Sequence, residues 1–275
     1  MHSDRYEVVA FNTATQSANK IHDDAVASSL GFKGGLVPGV DVLAYLTHLP
    51  AENWGRSWLD DGAISGRFER PVYDGDRVEV IAEPLDDGAA LDLTLFDSEG
   101  LGCAIGVALA SAPDAPPPID AIPIAAVAAE PQPASPDVFA AFPDGVLGTL
   151  EYGFHAESAE TYLDEVRETL PLYRQQRLAH PGWLLRMANW ALSYNVRLGP
   201  WIHVGSSLQL HGAIEEGQRI SVRSRVVDVS ERKGHGFVEL DIVYVVDDER
   251  VAATCHHTSI YEPRGVRKVL GAASS

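Results

Sequence analysis

Two apolar helical runs stand out along the chain, each opened by Pro-Gly: LVPGVDVLAYLTHL from Leu36 and AHPGWLLRMANWAL from Ala179. Residues 38–50 predict one helix of roughly three turns whose Val40, Val42, Leu43, Leu46 and Leu49 cover most of its faces, so it should be buried. The second helix is expected over 181–196, with Trp183, Leu184, Met187, Trp190 and Ala191 as its apolar positions. Elsewhere the pattern alternates with a period of two, which predicts strands at 6–11, 77–84, 91–96 and 101–110, and again at 204–212, 219–230, 236–246 and 250–261. Asp86-Asp87-Gly88 and Ser98-Glu99-Gly100 are the turn signals between strands of the first set.

The two sets are copies of one unit. Gly39 precedes Gly75 by 36 residues and Gly182 precedes Gly217 by 35. Around the later glycines, RFERPVYDGDRVEV aligns with QLHGAIEEGQRISV, matching Val72 to Ile214, Gly75 to Gly217, Arg77 to Arg219 and Val78 to Ile220. A common offset that survives a helix, a strand and a turn marks an internal repeat. Between the copies, residues 111–143 hold nine of the 17 prolines and much alanine, so they read as an extended connection whose Ile119, Ile122, Ile124 and Val127 lie along a surface. The expected organisation is a unit over 1–112, a linker over 113–145, a second unit over 146–265 and a flexible tail over 266–275. One buried helix wrapped by an antiparallel sheet is the α+β arrangement called a hot dog; two in tandem make a double hot dog. Joining the two sheets edge to edge covers an edge that each would otherwise expose.

Composition narrows the function. The 275 residues are 45% hydrophobic and 22% charged, an ordinary globular balance. No run of 18 apolar residues and no basic-then-apolar leader is visible, so neither a membrane span nor a signal peptide is expected, and a cytoplasmic location is the default. The net charge of −18 argues against nucleic acid and anionic membranes as partners. Two cysteines, Cys103 and Cys255, exclude a disulfide framework; each falls in the last strand of its unit and reads as a buried thiol. His203, His211 and His235 show no ligand spacing, and the adjacent His256-His257 point to opposite faces of a strand, so no metal is expected.

The stretch FNTATQSANKIHDDAVASSLGFKGGLVPGVD, Phe11 to Asp41, carries the candidate chemistry. It resembles the hydratase motif of the MaoC-like family of (R)-specific enoyl-CoA hydratases and dehydratases. The motif runs Asp-x-Asn-Pro-hydrophobic-His-x-Asp, then Gly-Phe, then His-Gly at the start of the hot-dog helix. Asn19, His22, Asp24, the Gly31-Phe32 pair and Gly39 match it in kind and spacing. Two positions depart: Ser17 stands where the family has its catalytic Asp, and Pro38 where it has His. The resemblance implies reversible hydration of a 2-enoyl thioester to a 3-hydroxyacyl thioester. His22 would serve as acid and base, Asn19 and Ser17 would orient water, and the Gly39 amide would hold the thioester oxygen. CoA would enter as part of the substrate, with no separate cofactor. Serine cannot replace a carboxylate as a base near neutral pH, so Ser17 implies altered use of the site. In the family's double hot dogs catalysis lies in the C-terminal half; here the motif is N-terminal.

Further candidates follow from residue chemistry. Histidine exchanges a proton near pH 7, and a helix N-terminus offers free amides and partial positive charge to a developing oxyanion. For Gly39, helix packing is an equal alternative to oxyanion binding. Asp41, in the first turn of the long helix, is a weak stand-in for the missing carboxylate, and Asp24 is expected to cap a helix over 25–30. Gly35 is a candidate substrate contact, with flexibility of the Gly34-Gly35 loop as its plain alternative. In the second unit nothing corresponds to His22; the equivalent position is Glu165. Arg174, Arg177 and His180, with Arg167 nearby, could meet the phosphates of CoA or a carboxylate; pairing with Asp164, Glu165 and Glu168 on a solvated helix is the plainer alternative. Two further readings stay open. One is a hot-dog thioesterase; the other is a non-catalytic protein that binds acyl or other hydrophobic ligands. A homodimer is compatible with either.

Overall fold

A computed structural model describes residues 3–15, 19–29 and 31–264. Ser17 and the expected tail at 266–275 lie outside the described residues. The first half runs β1 (Arg5–Val9), a 3-10 turn at Lys20–His22, α1 (Asp24–Ser29), α2 (Gly39–Leu46), α3 (His48–Trp54), α4 (Arg56–Asp61), β2 (Ala63–Phe68), β3 (Arg77–Leu85), β4 (Ala90–Phe96) and β5 (Gly102–Leu109). The connection contains α5 (Pro136–Ala140). The second half runs β6 (Leu150–Gly153), α6 (Ala156–Glu165), α7 (Pro171–Gln176), α8 (Pro181–Ser193), β7 (Ile202–Leu210), β8 (Arg219–Arg232), β9 (His235–Val246) and β10 (Arg250–Glu262).

All ten strands form one antiparallel sheet in the order β1-β3-β4-β5-β2-β7-β10-β9-β8-β6. The order is the same read from either edge, unit for unit, which is the repeat expressed as topology. Its centre is the β2–β7 pair, where Ala63 faces Gln209 and Arg67 faces Gly205. The sheet wraps α2 and α8, which pack against each other in a core shared by both halves. This is a double hot dog. Cys103 and Cys255 are buried on the equivalent strands β5 and β10.

Three local departures from the expected pattern have physical causes. The helix read over 38–50 breaks at Thr47 and continues as α3 and α4. Pro50 has no N–H to give the Leu46 carbonyl, and its ring crowds that carbonyl, so the helix cannot run straight through. The strand β2 escaped the periodicity because Ser65 and Gly66 interrupt a short apolar alternation. The Pro/Ala-rich connection is not uniformly extended: Ser135 caps α5 by accepting from the Val138 amide (3.2 Å), with Pro136 at the first helical position. Along the rest of it, Ile122 is buried against Val146, Val243, Val245 and Val251 on the outer face of the second half, while Ile124 faces solvent. Among the described residues no helix is long and apolar enough to cross a membrane.

Candidate active site

His22 ends the 3-10 turn that leads into α1. Its Nδ1 lies 2.6 Å from the Leu36 carbonyl, which can only accept, so Nδ1 carries the proton and Nε2 keeps the lone pair. Burial pushes the His22 pKa down, against smaller upward pulls from the Leu36 carbonyl and the Asp41 charge. The imidazole is therefore neutral near pH 7 and basic at Nε2. Beside Nε2, at 3.4 Å, stands the Asn19 amide nitrogen. Asn19 is itself fixed across the junction of the two halves: it donates to the Trp201 carbonyl (2.9 Å) and accepts from the Trp201 amide (3.2 Å). The motif is thus held by a tryptophan of the second unit.

His22 and the N-terminus of α2 border the same cavity, of about 220 Å³, whose walls include Ile21, Val42, Val72, Phe68 and Ile202. A second, more polar cavity of about 480 Å³ adjoins it, with Arg186, Ser193 and Arg197 among its walls. Asn19, His22, Pro38, Asn189 and Trp201 border both. The reactive imidazole therefore stands in the partition between a smaller chamber walled mainly by apolar side chains, which Glu69 and Arg70 also border, and a larger one bordered by Asp41, Arg186 and Arg197. No carboxylate is bonded to His22 among the described residues.

At Gly39, a Cβ would stand 2.9 Å from His203 Nδ1 and 2.9 Å from Phe68 Cε2. Glycine is thus required there by close packing. The amide at that point caps nothing: α2 has no side-chain cap, and its first internal bonds come from the Asp41 and Val42 amides to the Pro38 carbonyl. The Gly39 N–H is left for a ligand.

Several expected site residues serve elsewhere. Asp41 is fully buried, and its carboxylate accepts from Arg186 Nε (2.8 Å), Arg186 Nη2 (3.0 Å) and Thr13 Oγ1 (2.6 Å). It touches the polar cavity but is committed to the arginine, so it is no free base. Arg186 also reaches Glu165, the position equivalent to His22, and stacks 4.4 Å over the Tyr162 ring. Gly35 lies outside both cavities that meet at His22: a Cβ there would come within 2.2 Å of the His22 carbonyl oxygen, so its task is to let the two backbone segments touch. Asp23 rather than Asp24 caps α1, accepting from the Ala25 and Val26 amides (3.0 and 3.1 Å), while Asp24 takes the Gly35 amide (2.7 Å). Arg174 is paired with Glu160 and Asp164 (2.9 and 2.8 Å), and Arg177 with Glu216 (2.9 Å). Neither borders the His22 cavities. His180 is buried as the cap of α8: its Nδ1 accepts from the Gly182 amide (3.0 Å) and its Nε2 faces Thr47 and Glu168 (3.3 and 3.5 Å). Glu168, held far below the usual carboxylate range by His180 and His48 against the cost of burial, completes a network that joins the halves. These three residues therefore bind no substrate at this cavity.

One residue of the cavity wall was not signalled by the sequence. His203, on β7, borders the apolar chamber beside the start of α2. Only the strand register brings it there.

No protein-family model matches the sequence, and no curated protein does. Solved structures do. A MaoC domain protein dehydratase from Chloroflexus aurantiacus is 15% identical, with 95% of this chain and 94% of that one covered at a TM-score of 0.56. A conserved hypothetical protein of Mycobacterium tuberculosis, described as having a double hot-dog fold, is 14% identical over 94% of this chain and 96% of that one, at 0.58. A protein named as an oleoyl thioesterase from Lactobacillus plantarum is 8% identical over 94% and 95%, at 0.54. At such identities the likeness is one of fold: the chain is a double hot-dog protein, similar in structure to MaoC-like dehydratases and to thioesterases.

Proposed function

We propose that the chain is a MaoC-like acyl-thioester hydro-lyase that reversibly hydrates a 2-enoyl-CoA to a 3-hydroxyacyl-CoA. The observation that carries the reading is the meeting, at one apolar cavity, of an uncapped helix N-terminus and a neutral imidazole whose unprotonated Nε2 is met, among the described residues, only by a long contact from Asn19 (3.4 Å). The apolar chamber takes the acyl chain, and the polar chamber takes the carrier arm, with Arg197 at its wall for an anionic group. The thioester then lies in the partition, beside His22.

Hydration needs one group that takes a proton and returns it. His22 Nε2 removes a proton from water as the water oxygen bonds to C3 of the enoyl group. The electron pair of the double bond moves to the thioester oxygen, where the Gly39 amide meets the negative charge. The imidazolium then gives its proton to C2, on the same face, and the carbonyl re-forms. Because burial lowers the His22 pKa, the imidazolium is short-lived and a ready donor. The Leu36 carbonyl holds Nδ1, so the ring keeps the tautomer the cycle needs. Asn19 Nδ2 keeps one hydrogen on the Trp201 carbonyl, and its long contact to Nε2 (3.4 Å) gives way to the attacking water, which it then holds beside the imidazole.

The same pair of groups also suits attack of water on the carbonyl carbon, the thioesterase reading, so the assay must separate the two. Enoyl-CoA substrates of increasing length are followed by loss of the conjugated absorbance and, in parallel, by release of free thiol. Hydration without thiol release, reduced on the order of 10²–10⁴-fold by His22→Ala, is the expected result. Thiol release would assign a thioesterase. Tight binding without turnover would assign an acyl-binding protein.

A further inference from the structure

His203 belongs to the second unit, yet its imidazole reaches the start of α2 in the first. Strand parity would set His203 and Ser206 on opposite faces of β7. A bulge reverses this: opposite Thr258 and Ser259 of β10 the strand places Gly205 and His203, leaving Val204 without a partner. Both side chains therefore turn inward. Ser206 Oγ then lies 2.8 Å from His203 Nε2 and 2.8 Å from His257 Nδ1, and the two rings stack at 4.4 Å. The chain of groups is buried, and both of its end atoms, His203 Nδ1 and His257 Nε2, lack a protein partner.

The direction of that chain depends on what meets its ends. In one direction His257 Nδ1–H donates to Ser206, Ser206 donates to His203 Nε2, and the unpaired N–H is His203 Nδ1–H, beside the cavity. In the other, the unpaired N–H is His257 Nε2–H, sealed in the core. A buried N–H without an acceptor is costly, and in the ligand-free protein both rings can donate to Ser206 while its hydroxyl turns to Cys255; the first direction prevails once a bound oxygen supplies the acceptor for His203 Nδ1–H. Burial also holds the His203 pKa at about 3, so the ring stays neutral. His203 Nδ1 lies 2.9 Å from the place a Gly39 Cβ would occupy, hence next to the free end of α2. The edge of Phe68, a partly buried cavity residue packed T-shaped on His203 at 5.0 Å, stands 2.9 Å from the same place, so an oxygen bound there must displace that ring.

We propose that His203 Nδ1–H is a second oxyanion donor, contributed by the second unit, that binds the thioester carbonyl oxygen together with the Gly39 amide. The inference rests on the thioester reading above and adds a catalytic residue to it. It also gives the motif-free half a chemical task. With two donors on the oxygen, the electron pair leaving the double bond is stabilised even though Ser17 replaces the family's carboxylate.

Two measurements test it. Nitrogen NMR of histidine-labelled protein at pH 7 with acetoacetyl-CoA bound, with the His203 signals assigned from a His203→Gln spectrum, is expected to show a neutral ring protonated at Nδ1. Protonation at Nε2 in that complex overturns the proposal. The second measurement uses acetoacetyl-CoA, a 3-oxoacyl thioester whose enolate has its own ultraviolet band and which undergoes no hydration. Wild-type protein is expected to raise the bound enolate fraction. His203→Ala should lower the enolate equilibrium about 10- to 100-fold, and His203→Gln, which keeps an N–H donor, should restore part of it. Binding with an enolate fraction untouched by His203→Ala refutes the role of His203 and leaves the hydratase reading standing. Failure of the wild-type protein to bind the thioester refutes that reading, and this one with it.

Discussion

Arg186→Met separates a buried ion pair and so tests how the two halves hold the site. Asp41 sits on α2 with no exposed surface, and Arg186 on α8 supplies two of the three donors to its carboxylate. Methionine keeps the apolar stem of the arginine against Tyr162 but removes both donors and the charge. The carboxylate is then left with Thr13 alone among the described residues. Removing one partner of such a pair costs about 3–5 kcal/mol. Asp41→Asn should cost less, about 1.5–3 kcal/mol, because Arg186 keeps Glu165 and the face of Tyr162. In thermal unfolding, Arg186→Met should lower the midpoint by roughly 6–20 °C. The site should respond in the same experiment. The Asp41 charge raises the His22 pKa, so loss of Arg186 shifts the acid limb of activity to higher pH and Asp41→Asn shifts it to lower pH. A loss below about 1 kcal/mol for Arg186→Met, or a greater loss for Asp41→Asn, would refute the account of the pair.

Two more outcomes follow from the same geometry. The buried neutral histidines make the fold acid-sensitive: unfolded, they take up protons at the ordinary 6.5, whereas His203 does so only near about 3 and His257 well below its usual value. The unfolded chain thus binds more protons between these limits, so their contribution is complete above pH 6.5 and shrinks as the pH falls. At pH 5 His203 alone should cost about 2 kcal/mol; Glu168, with its depressed pKa, adds nothing until the pH nears 4.5. Urea unfolding that is equally stable at pH 7 and pH 5 would contradict this. Gly35→Ala places a Cβ against the His22 carbonyl oxygen, a backbone atom that cannot yield. It should destabilise by about 1–3 kcal/mol and, by moving His22, lower turnover by on the order of 10² while leaving both cavities chemically intact. Wild-type turnover in this variant would show that Gly35 has no hold on His22.

Much of this molecule was legible as a string of residues. The repeat, the two Pro-Gly helices and eight of the ten strands follow from local periodicity, because a residue's face in a helix or strand is set by its neighbours in sequence. The Asn19-to-Gly39 spacing marked the His22 cavity for the same reason: one continuous segment builds the imidazole and the helix end. Even the kink at Thr47 was available in Pro50. What the string could not say is who meets whom across the halves. Nor could it name the partners of Arg174 and Arg177: acid pairing was the plainer reading beside anion binding, and folding supplies Glu160, Asp164 and Glu216. Asp41 looked available until α8 brought Arg186 against it. His203 carried no signal at all, since its value depends on a one-residue bulge that reverses strand parity and on a partner, His257, 54 positions away. Local structure is written in short-range pattern; the electrostatic state of a buried group is set by whatever long-range packing places within a few ångströms of it, and only the tertiary structure decides that.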